Sequence, residues 1–324
     1  MEIAKALILA GRESDDRPWP TAPAGPKHLF PVANRPILFH NLEALRSAGV
    51  LEAAILVDSE TGSAIERAVG DGREWGLAVR YREFSSAAGV GGALRAGHDF
   101  VGDEPVLVQH GDALLRERMH PHIAAFAREG LDALALRLAA PAPVTEPGYL
   151  LSPRAVSILL EAGSAAPVAG IESHGGRVRV QRVDGCLACH GDQDALLDSN
   201  RRMLELITPS WEPESLEDTR VQGPVVIHPT ARVHGTLLRG PLIIGPHARV
   251  TDAYVGPYTS IGAGVVVEGA EIEHSIVLPD AQLRFLGTRL ESSVIGRGAR
   301  VVRGFDLPAT TRMSIGDRAE VILR

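Results

Sequence analysis

The sequence predicts a fold in two parts: an α/β domain with a mostly parallel sheet, followed by a left-handed parallel β-helix. Short apolar runs alternate with helical stretches in the first part, and aliphatic residues recur at intervals of six in the second. The 324 residues also exceed the size at which single hydrophobic cores stop growing. We therefore expect an α/β domain at 1–207, a linker at 208–223 and the β-helix at 224–324.

The α/β prediction rests on strand-like and helix-like segments that alternate along the chain. Residues 6–10 and 53–57 are continuous apolar runs, as strands buried on both faces require. Between them, leucines recur at helical spacing within 37–48, and Gly49 follows as a stop signal. A third strand is predicted at 106–109. Because ligands bind at the carboxyl ends of parallel strands, we expect a site in the loops that follow the first and third of these strands.

A hexapeptide period predicts the β-helix. In such a repeat one aliphatic residue per hexad points into a triangular coil, and the stacked coils bury a continuous core. The segment 208–223 has two prolines, several acids and no apolar period, which is typical of a linker. The aliphatic residues six positions apart are Ile227 and Val233, Ile244 and Val250, Val255, Ile261 and Val267, and Ile295 and Val301.

The β-helix is open to two interpretations. It transfers acyl groups with a histidine as the base, or it is a structural appendage that supports oligomers, with its histidines on solvated turns. Scattered histidines without a partner carboxylate favour the structural interpretation. The histidines available to an acyltransferase are His228, His234, His247 and His274.

Composition disfavours several classes of protein. The formal net charge of −7 argues against a nucleic-acid footprint and against binding to an anionic membrane surface. No apolar run approaches the roughly 20 residues that span a bilayer. Two cysteines, Cys186 and Cys189, are too few for a disulfide framework, so a cytoplasmic location is expected. With His190 they also spell a haem-attachment pattern, but a buried, inert cysteine pair is favoured over haem or zinc.

Two blocks near the N-terminus carry a family resemblance. Residues 5–11 (KALILAG) and 27–36 (KHLFPVANRP) resemble the opening of glucose-1-phosphate thymidylyltransferases and related sugar nucleotidyltransferases, which continue into GGxGTRLxPLT and KxLxPVxNKP. The β-helix resembles the tail of the long-form members, so the similarity spans nearly the whole chain. It implies a Rossmann-like nucleotidyltransferase domain. Further similar stretches lie at 42–49, 99–112, 148–153 and 191–201.

The resemblance implies a reaction and assigns residues to it. A sugar 1-phosphate attacks the α-phosphorus of a nucleoside triphosphate, a nucleotide sugar forms, and pyrophosphate leaves; Mg²⁺ is the implied cofactor. Arg17 takes the place of the GTR arginine after a one-residue insertion, and Lys27 that of a phosphate-contacting lysine. Gly11 and Gly89 are expected to contact the nucleotide or sugar, and Asp112 to hold the metal. Homo-oligomers are common in this family and are expected here.

Several departures leave the activity of this chain open. The phosphate loop keeps only Gly11 and brings acids (Glu13, Asp15 and Asp16) towards the triphosphate, where like charge and lost glycines disfavour binding. A thiol, Cys189, stands at the second metal position, where Mg²⁺ prefers oxygen.

Two further signals of the family are altered. Phe84 stands where a base-reading glutamine is expected, and no Glu-Lys-Pro hairpin occurs, Glu146-Pro147 being its nearest remnant. The alternatives are therefore a divergent transferase and a non-catalytic paralogue that binds a nucleotide sugar or a partner subunit, such as a catalytic sister chain. An acyltransferase ranks third.

Overall fold

The computed structural model describes residues 3–11, 26–85, 89–139, 146–162, 166–187, 193–212 and 216–303. In the N-terminal unit the strands are β1 (Lys5–Leu9), β2 (Pro31–Val32), β3 (Arg35–Pro36), β4 (Glu52–Val57), β5 (Ala78–Glu83), β6 (Val106–His110), β7 (Ala113–Leu115), β8 (Ala133–Leu138), β9 (Gly148–Leu151), β10 (Val178–Val183) and β11 (Gly185–Leu187). The helices are α1 (Ile37–Ser47), α2 (Gly62–Val69), α3 (Gly89–Ala96), α4 (His98–Val101), α5 (His120–Glu129), α6 (Pro153–Ala162), α7 (Pro167–Ser173) and α8 (Gln193–Leu204), with short 3-10 helices at Lys27–Leu29 and Arg73–Trp75.

A seven-stranded sheet organises this unit, in the order β10-β8-β9-β6-β1-β4-β5. Every neighbouring pair is parallel except those of β9, which runs antiparallel to both β6 and β8. The predicted strands at β1, β4 and β6 and the predicted helix at α1 are confirmed. This mostly parallel arrangement agrees with the predicted fold class.

Both faces of the sheet are covered, which explains the continuous apolar strands. Successive side chains of a strand point to opposite faces. Ile8 of β1 joins one buried cluster with Leu42 of α1, whereas the adjacent Leu7 joins another with Leu94 of α3. The central strands β1, β4 and β6 are buried on both faces, so each is an almost unbroken apolar run, whereas the edge strands β5 and β10 carry exposed polar residues.

Three all-parallel sheets of short strands form the C-terminal unit, in agreement with the predicted left-handed β-helix. The strands are β12 (Leu216–Glu217), β13 (Arg220–Gln222), β14 (Val225–Ile227), β15 (Arg232–His234), β16 (Leu237–Arg239), β17 (Leu242–Ile244), β18 (Arg249–Thr251), β19 (Tyr254–Val255), β20 (Thr259–Ile261), β21 (Val266–Glu268), β22 (Glu271–Glu273), β23 (Ile276–Val277), β24 (Gln282–Arg284), β25 (Leu290–Glu291), β26 (Val294–Ile295) and β27 (Arg300–Val302). Val225 pairs with Leu242 and Leu242 with Thr259, so one coil takes 17 residues.

Seven of the nine aliphatic residues predicted at sixfold spacing are buried in the core of the β-helix, and Ile295 and Val301 are half-buried against it. The seven include Ile244, Val250, Val255, Ile261 and Val267. Its first strands, β12 and β13, pair with β15 and β16, so the first coil begins inside the segment expected to be a linker. The domain boundaries themselves stay a prediction.

One sheet of the β-helix packs against the N-terminal unit. We call the sheet β14-β17-β20-β23-β26 the docking face, because α8 contacts its central strand, β20. Side chains from both units bury each other there in one apolar cluster. Its members are Phe30, Val32, Ile37, Leu114, Leu196 and Leu197 from the N-terminal unit, and Ile276, Leu278 and Val294 from the β-helix.

Within the described ranges, no single helix is long and apolar enough to cross a membrane. The pair α6 and α7 would reach that length and composition only together, and the two are bent by 99°. Both helices bury side chains such as Leu159 and Ile171 against the sheet.

Candidate active site

The carboxyl edge of the seven-stranded sheet gathers most of the residues expected to form a site. Gly11 lies just beyond β1, and Asp112 just beyond β6, which is hydrogen-bonded to β1 along its length. Gly89 begins α3, which follows β5, two strands away from β1 in the sheet. Arg17 lies outside the described residues.

Lys27 and Asp112 form a buried ion pair at this edge. The ammonium of Lys27, in the 3-10 helix Lys27–Leu29, lies 3.1 Å from a carboxylate oxygen of Asp112. The Asp112 side chain is only 4% exposed and that of Lys27 15%. Two charges so little hydrated are tolerated because they are paired. The structure therefore brings together two of the residues that the sequence singled out.

The charges around Asp112 favour its ionised form. Burial would raise the pKa of this carboxyl, but the positive charges of Lys27, His28 and His110 and the hydrogen bond from Lys27 outweigh it. The net result is a pKa below the ordinary value. His28 and His110 were not predicted as site residues. The sequence feature that could have identified them is their position: His28 directly follows Lys27, and His110 directly precedes Gly111-Asp112.

A buried amide network supports the loop that carries Asp112. The side-chain amide of Asn41 donates to the carbonyl of Gly111 at 2.8 Å, and that of Gln109 donates to the Asn41 side-chain oxygen at 2.8 Å. The amide of Gly111 donates to the carbonyl of Leu9 at 2.7 Å. A Cβ at Gly111 would lie 2.8 Å from that same carbonyl oxygen, so the close approach requires glycine.

The two glycines predicted to contact the ligand, Gly89 and Gly11, lie in different local environments. Gly89 has φ +58° and open space around the position of a Cβ, so backbone conformation is the constraint there. Gly11 is buried directly after β1, and the loop that follows it, including the three acids, lies outside the described residues. Phe84 is buried in the core beside Leu94, so its side chain packs inward.

Asp112 is the carboxylate that the sequence assigns to a metal at this edge. The described residues contain no group of three or more His, Cys, Asp or Glu side chains that would hold an ion. Mg²⁺ is commonly held by one or two carboxylates together with substrate phosphates and water. Asp112 fits such a partial site. Cys189, which the sequence places at the second metal position, lies outside the described residues. The nearest described residue before it, Leu187 of β11, pairs with Ala113, which is next to Asp112.

A second ion pair lies farther along the same edge. Arg137, near the end of β8, donates two hydrogen bonds to one oxygen of Glu146, at 3.1 and 2.6 Å. Tyr149 donates to the other oxygen at 3.1 Å. Burial of the Tyr149 hydroxyl, and next the negative charge of Glu146, raise the pKa of Tyr149. Glu146, the remnant of the missing hairpin, is therefore held in place by its neighbours. Neither Arg137 nor Tyr149 was expected from the sequence.

The histidines of the β-helix lie on its surface and turns. His234 does have a carboxylate partner, Glu217 at 3.3 Å, which the sequence did not indicate. Both side chains of that pair are exposed. His228 contacts Thr230, and His274 contacts Ser292.

Comparison with known proteins gives this arrangement a context. Residues 5–149 match the nucleotidyl transferase family. A glucose-1-phosphate thymidylyltransferase from Streptomyces griseus is 30% identical over an alignment 351 positions long, gaps included, which covers 97% of this chain and 98% of the relative. The same enzyme from Streptomyces antibioticus is 29% identical, with 98% and 99% covered. A low-salt glycan biosynthesis nucleotidyltransferase from Haloferax volcanii is 28% identical, with 98% and 100% covered.

A solved structure supports the fold of part of the chain. A Bacillus anthracis protein described as a glucose-1-phosphate thymidylyltransferase, in complex with sucrose, superimposes with a TM-score of 0.53 at 21% identity. The match covers 60% of this chain and 93% of the other. Taken with relatives that align over nearly their full length, these similarities show that the chain belongs to the sugar-1-phosphate nucleotidyltransferase family.

Proposed function

We propose that this chain joins a sugar 1-phosphate to the nucleotidyl group of a nucleoside triphosphate, forming a nucleotide sugar and pyrophosphate. The observation that carries the proposal is the buried Lys27–Asp112 pair at the carboxyl edge of the sheet. Parallel sheets of this kind bind ligands at that edge. The names of the long relatives make glucose 1-phosphate and a thymidine triphosphate the first substrates to test.

The chemistry requires charge stabilisation and positioning. A phosphate oxygen of the sugar 1-phosphate forms a bond to the α-phosphorus, and the bond from that phosphorus to the bridging oxygen of pyrophosphate breaks. Lys27 supplies positive charge that stabilises phosphate oxygens. Asp112 would hold Mg²⁺, which neutralises phosphate charge when bound. The amide network of Asn41 and Gln109 keeps the Asp112 loop in place.

A second candidate function is non-catalytic binding of a nucleotide sugar or of a partner subunit. It is favoured by the state of Asp112, whose charge is already balanced by Lys27, and by the lack of any group of three or more His, Cys, Asp or Glu ligands within the described ranges. A regulator or scaffold of this kind would bind its ligand without metal. The homo-oligomer, a catalytic sister subunit and the acyltransferase alternative stay predictions.

Titration calorimetry with nucleoside triphosphates and nucleotide sugars, with and without Mg²⁺, separates the two functions. For the transferase, Mg²⁺ tightens triphosphate binding at least tenfold in the wild-type protein, and Asp112→Ala abolishes this enhancement while Lys27 remains. Asp99→Asn, an exposed carboxylate paired with Arg82, is the control and keeps the enhancement. Pyrophosphate release with glucose 1-phosphate then measures turnover. Metal-independent binding of a nucleotide sugar alone would instead establish the regulatory function.

A further inference from the structure

Asn200 of α8 is a fully buried polar residue at the boundary between the two units. Its side-chain oxygen accepts hydrogen bonds from the Ala33 amide at 2.9 Å and from the Ser260 hydroxyl at 2.7 Å. Its side-chain amide donates to the carbonyl of Tyr258 at 3.0 Å. One side chain thus joins the turn between β2 and β3 to the docking face of the β-helix.

The turn held by Asn200 has a left-handed backbone conformation that one of its two central residues favours and the other disfavours. Ala33 and Asn34 both lie in the left-handed region, with φ +49° and +60°. Asparagine adopts this region readily, but alanine does so at a cost of about 1 kcal/mol. The Asn34 side chain also donates to the carbonyl of Ile261 at 2.6 Å. Contacts with α8 and the β-helix therefore contribute to fixing the turn.

The same turn is connected to Lys27 through a short, tightly hydrogen-bonded segment. The Phe30 amide donates to the Lys27 carbonyl at 3.0 Å, and the Ile37 amide donates to the Phe30 carbonyl at 3.0 Å, which closes the hairpin of β2 and β3. Phe30 and Val32 are buried in the cluster that also contains Ile276 of the docking face. One end of the segment faces Asp112 and the other end is attached to the β-helix.

We propose that Asn200 and Ser260 are positioning residues through which the β-helix fixes the Lys27 segment opposite Asp112. The β-helix then contributes to binding of an anionic nucleotide by positioning Lys27, in addition to any role in assembly. The identity of that ligand rests on the proposed function, whereas the mechanical link from Ser260 to Lys27 does not.

Two buried serines of the β-helix provide a matched test. Ser260→Ala removes the hydroxyl that meets Asn200. Ser275→Ala removes a hydroxyl that is equally buried but donates to Glu273 and accepts from the Ser293 amide, away from the turn. Hydrogen–deuterium exchange of the peptide covering 27–37 is the readout. We expect Ser260→Ala to speed exchange there about fivefold, as the loss of one buried hydrogen bond implies, and Ser275→Ala to leave it unchanged.

Two further variants keep the test decisive. Asn34→Ala removes the second attachment of the turn and speeds exchange of the same peptide, while Asn200→Ala, if it folds, has the largest effect. The more a variant speeds exchange of this peptide, the more it weakens triphosphate binding in the presence of Mg²⁺. Ser275→Ala retains wild-type affinity. Equal exchange of the 27–37 peptide in Ser260→Ala and Ser275→Ala would overturn the proposal. If the wild-type protein binds no triphosphate, the proposed function fails, and the exchange result still decides the mechanical link.

Discussion

Burial opposes the negative charge of Asp112, but the ion pair with Lys27 and the neighbouring His28 and His110 lower its pKa below the ordinary value. Its folded pKa lies below the ordinary value of 3.8, so the paired carboxylate stabilises the fold at pH values above about 4. This contribution is lost as the pH falls through the lowered pKa. The stability of the site is therefore coupled to the ionisation of a single carboxyl group.

Replacing Asp112 by asparagine tests this coupling. At pH 7 we expect Asp112→Asn to lower the free energy of unfolding by about 3 kcal/mol, because Lys27 is left buried without its carboxylate. The difference from wild type shrinks as the pH falls from about 4 through the lowered pKa of the folded Asp112 carboxyl, because the wild-type side chain then becomes neutral too. Urea unfolding at a series of pH values measures it. A difference that stays constant down to the lowest pH would contradict the interpretation, and Asp99→Asn serves as the exposed control.

Gly111 offers a steric prediction at the same site. A Cβ there would lie 2.8 Å from the Leu9 carbonyl oxygen and 3.0 Å from His28. We expect Gly111→Ala to cost about 2 kcal/mol of stability, since β1 and the loop after β6 must move apart. Gly296→Ala is the matched control, because nothing lies within 4 Å of its Cβ position and its φ is not positive. Thermal unfolding compares the two, and equal effects would argue against the close approach.

At the level of residues, the sequence proposes candidates for the site but does not indicate their interactions. Lys27 and Asp112 are each assigned by their surrounding motifs, but nothing in either motif indicates that the two side chains form a pair. Arg137 and Tyr149 carry no sequence signal, since their roles come from the position of Glu146 across the sheet edge. Contacts between distant segments depend on strand order, which local patterns do not specify.

The turn between β2 and β3 is an element whose sequence can be improved. Both of its central residues have positive φ, and such turns prefer glycine or asparagine. We expect Ala33→Gly to stabilise the protein by about 0.5–1 kcal/mol, because it relieves the left-handed alanine and keeps the amide that donates to Asn200. Ala44→Gly, in the C-terminal half of α1, should have the opposite sign, since helices disfavour glycine before their C-cap. Chemical denaturation of both variants measures the effect, and a destabilised Ala33→Gly would contradict it.

The strands of the β-helix were predictable because each coil repeats the same requirement. Every face must place one aliphatic side chain in a narrow core, so the period is visible in the sequence even though each strand is only two or three residues long. The docking face was not predictable in this way. Its outward residues include the apolar Val226, Ile243 and Ile276, and no periodicity distinguishes a strand that faces solvent from one that faces α8.

Over the whole molecule, the shared apolar cluster should make the two units unfold together. We expect one calorimetric transition for the wild-type protein and two resolved transitions for Ile276→Asp, because a charge placed in the buried cluster opposes docking without entering either central core. Leu237→Asp, at a half-buried outward position on another face of the β-helix, should keep a single transition. A single transition in Ile276→Asp, shifted no more than in Leu237→Asp, would show that docking contributes little to cooperativity.

The docked β-helix also has a consequence for the order of synthesis. Domains fold as units during translation, the N-terminal one first. The apolar side chains of Leu196 and Leu197 and the turn at Ala33 are complete well before Ser260, Ile276 and Val294 have been made. Until then the nascent chain exposes an apolar surface that these later coils cover in the folded protein. Ribosome-bound or truncated products that end before these coils are thus expected to recruit chaperones. A β-helix transplanted from another protein in place of this one must carry a face that packs against α8.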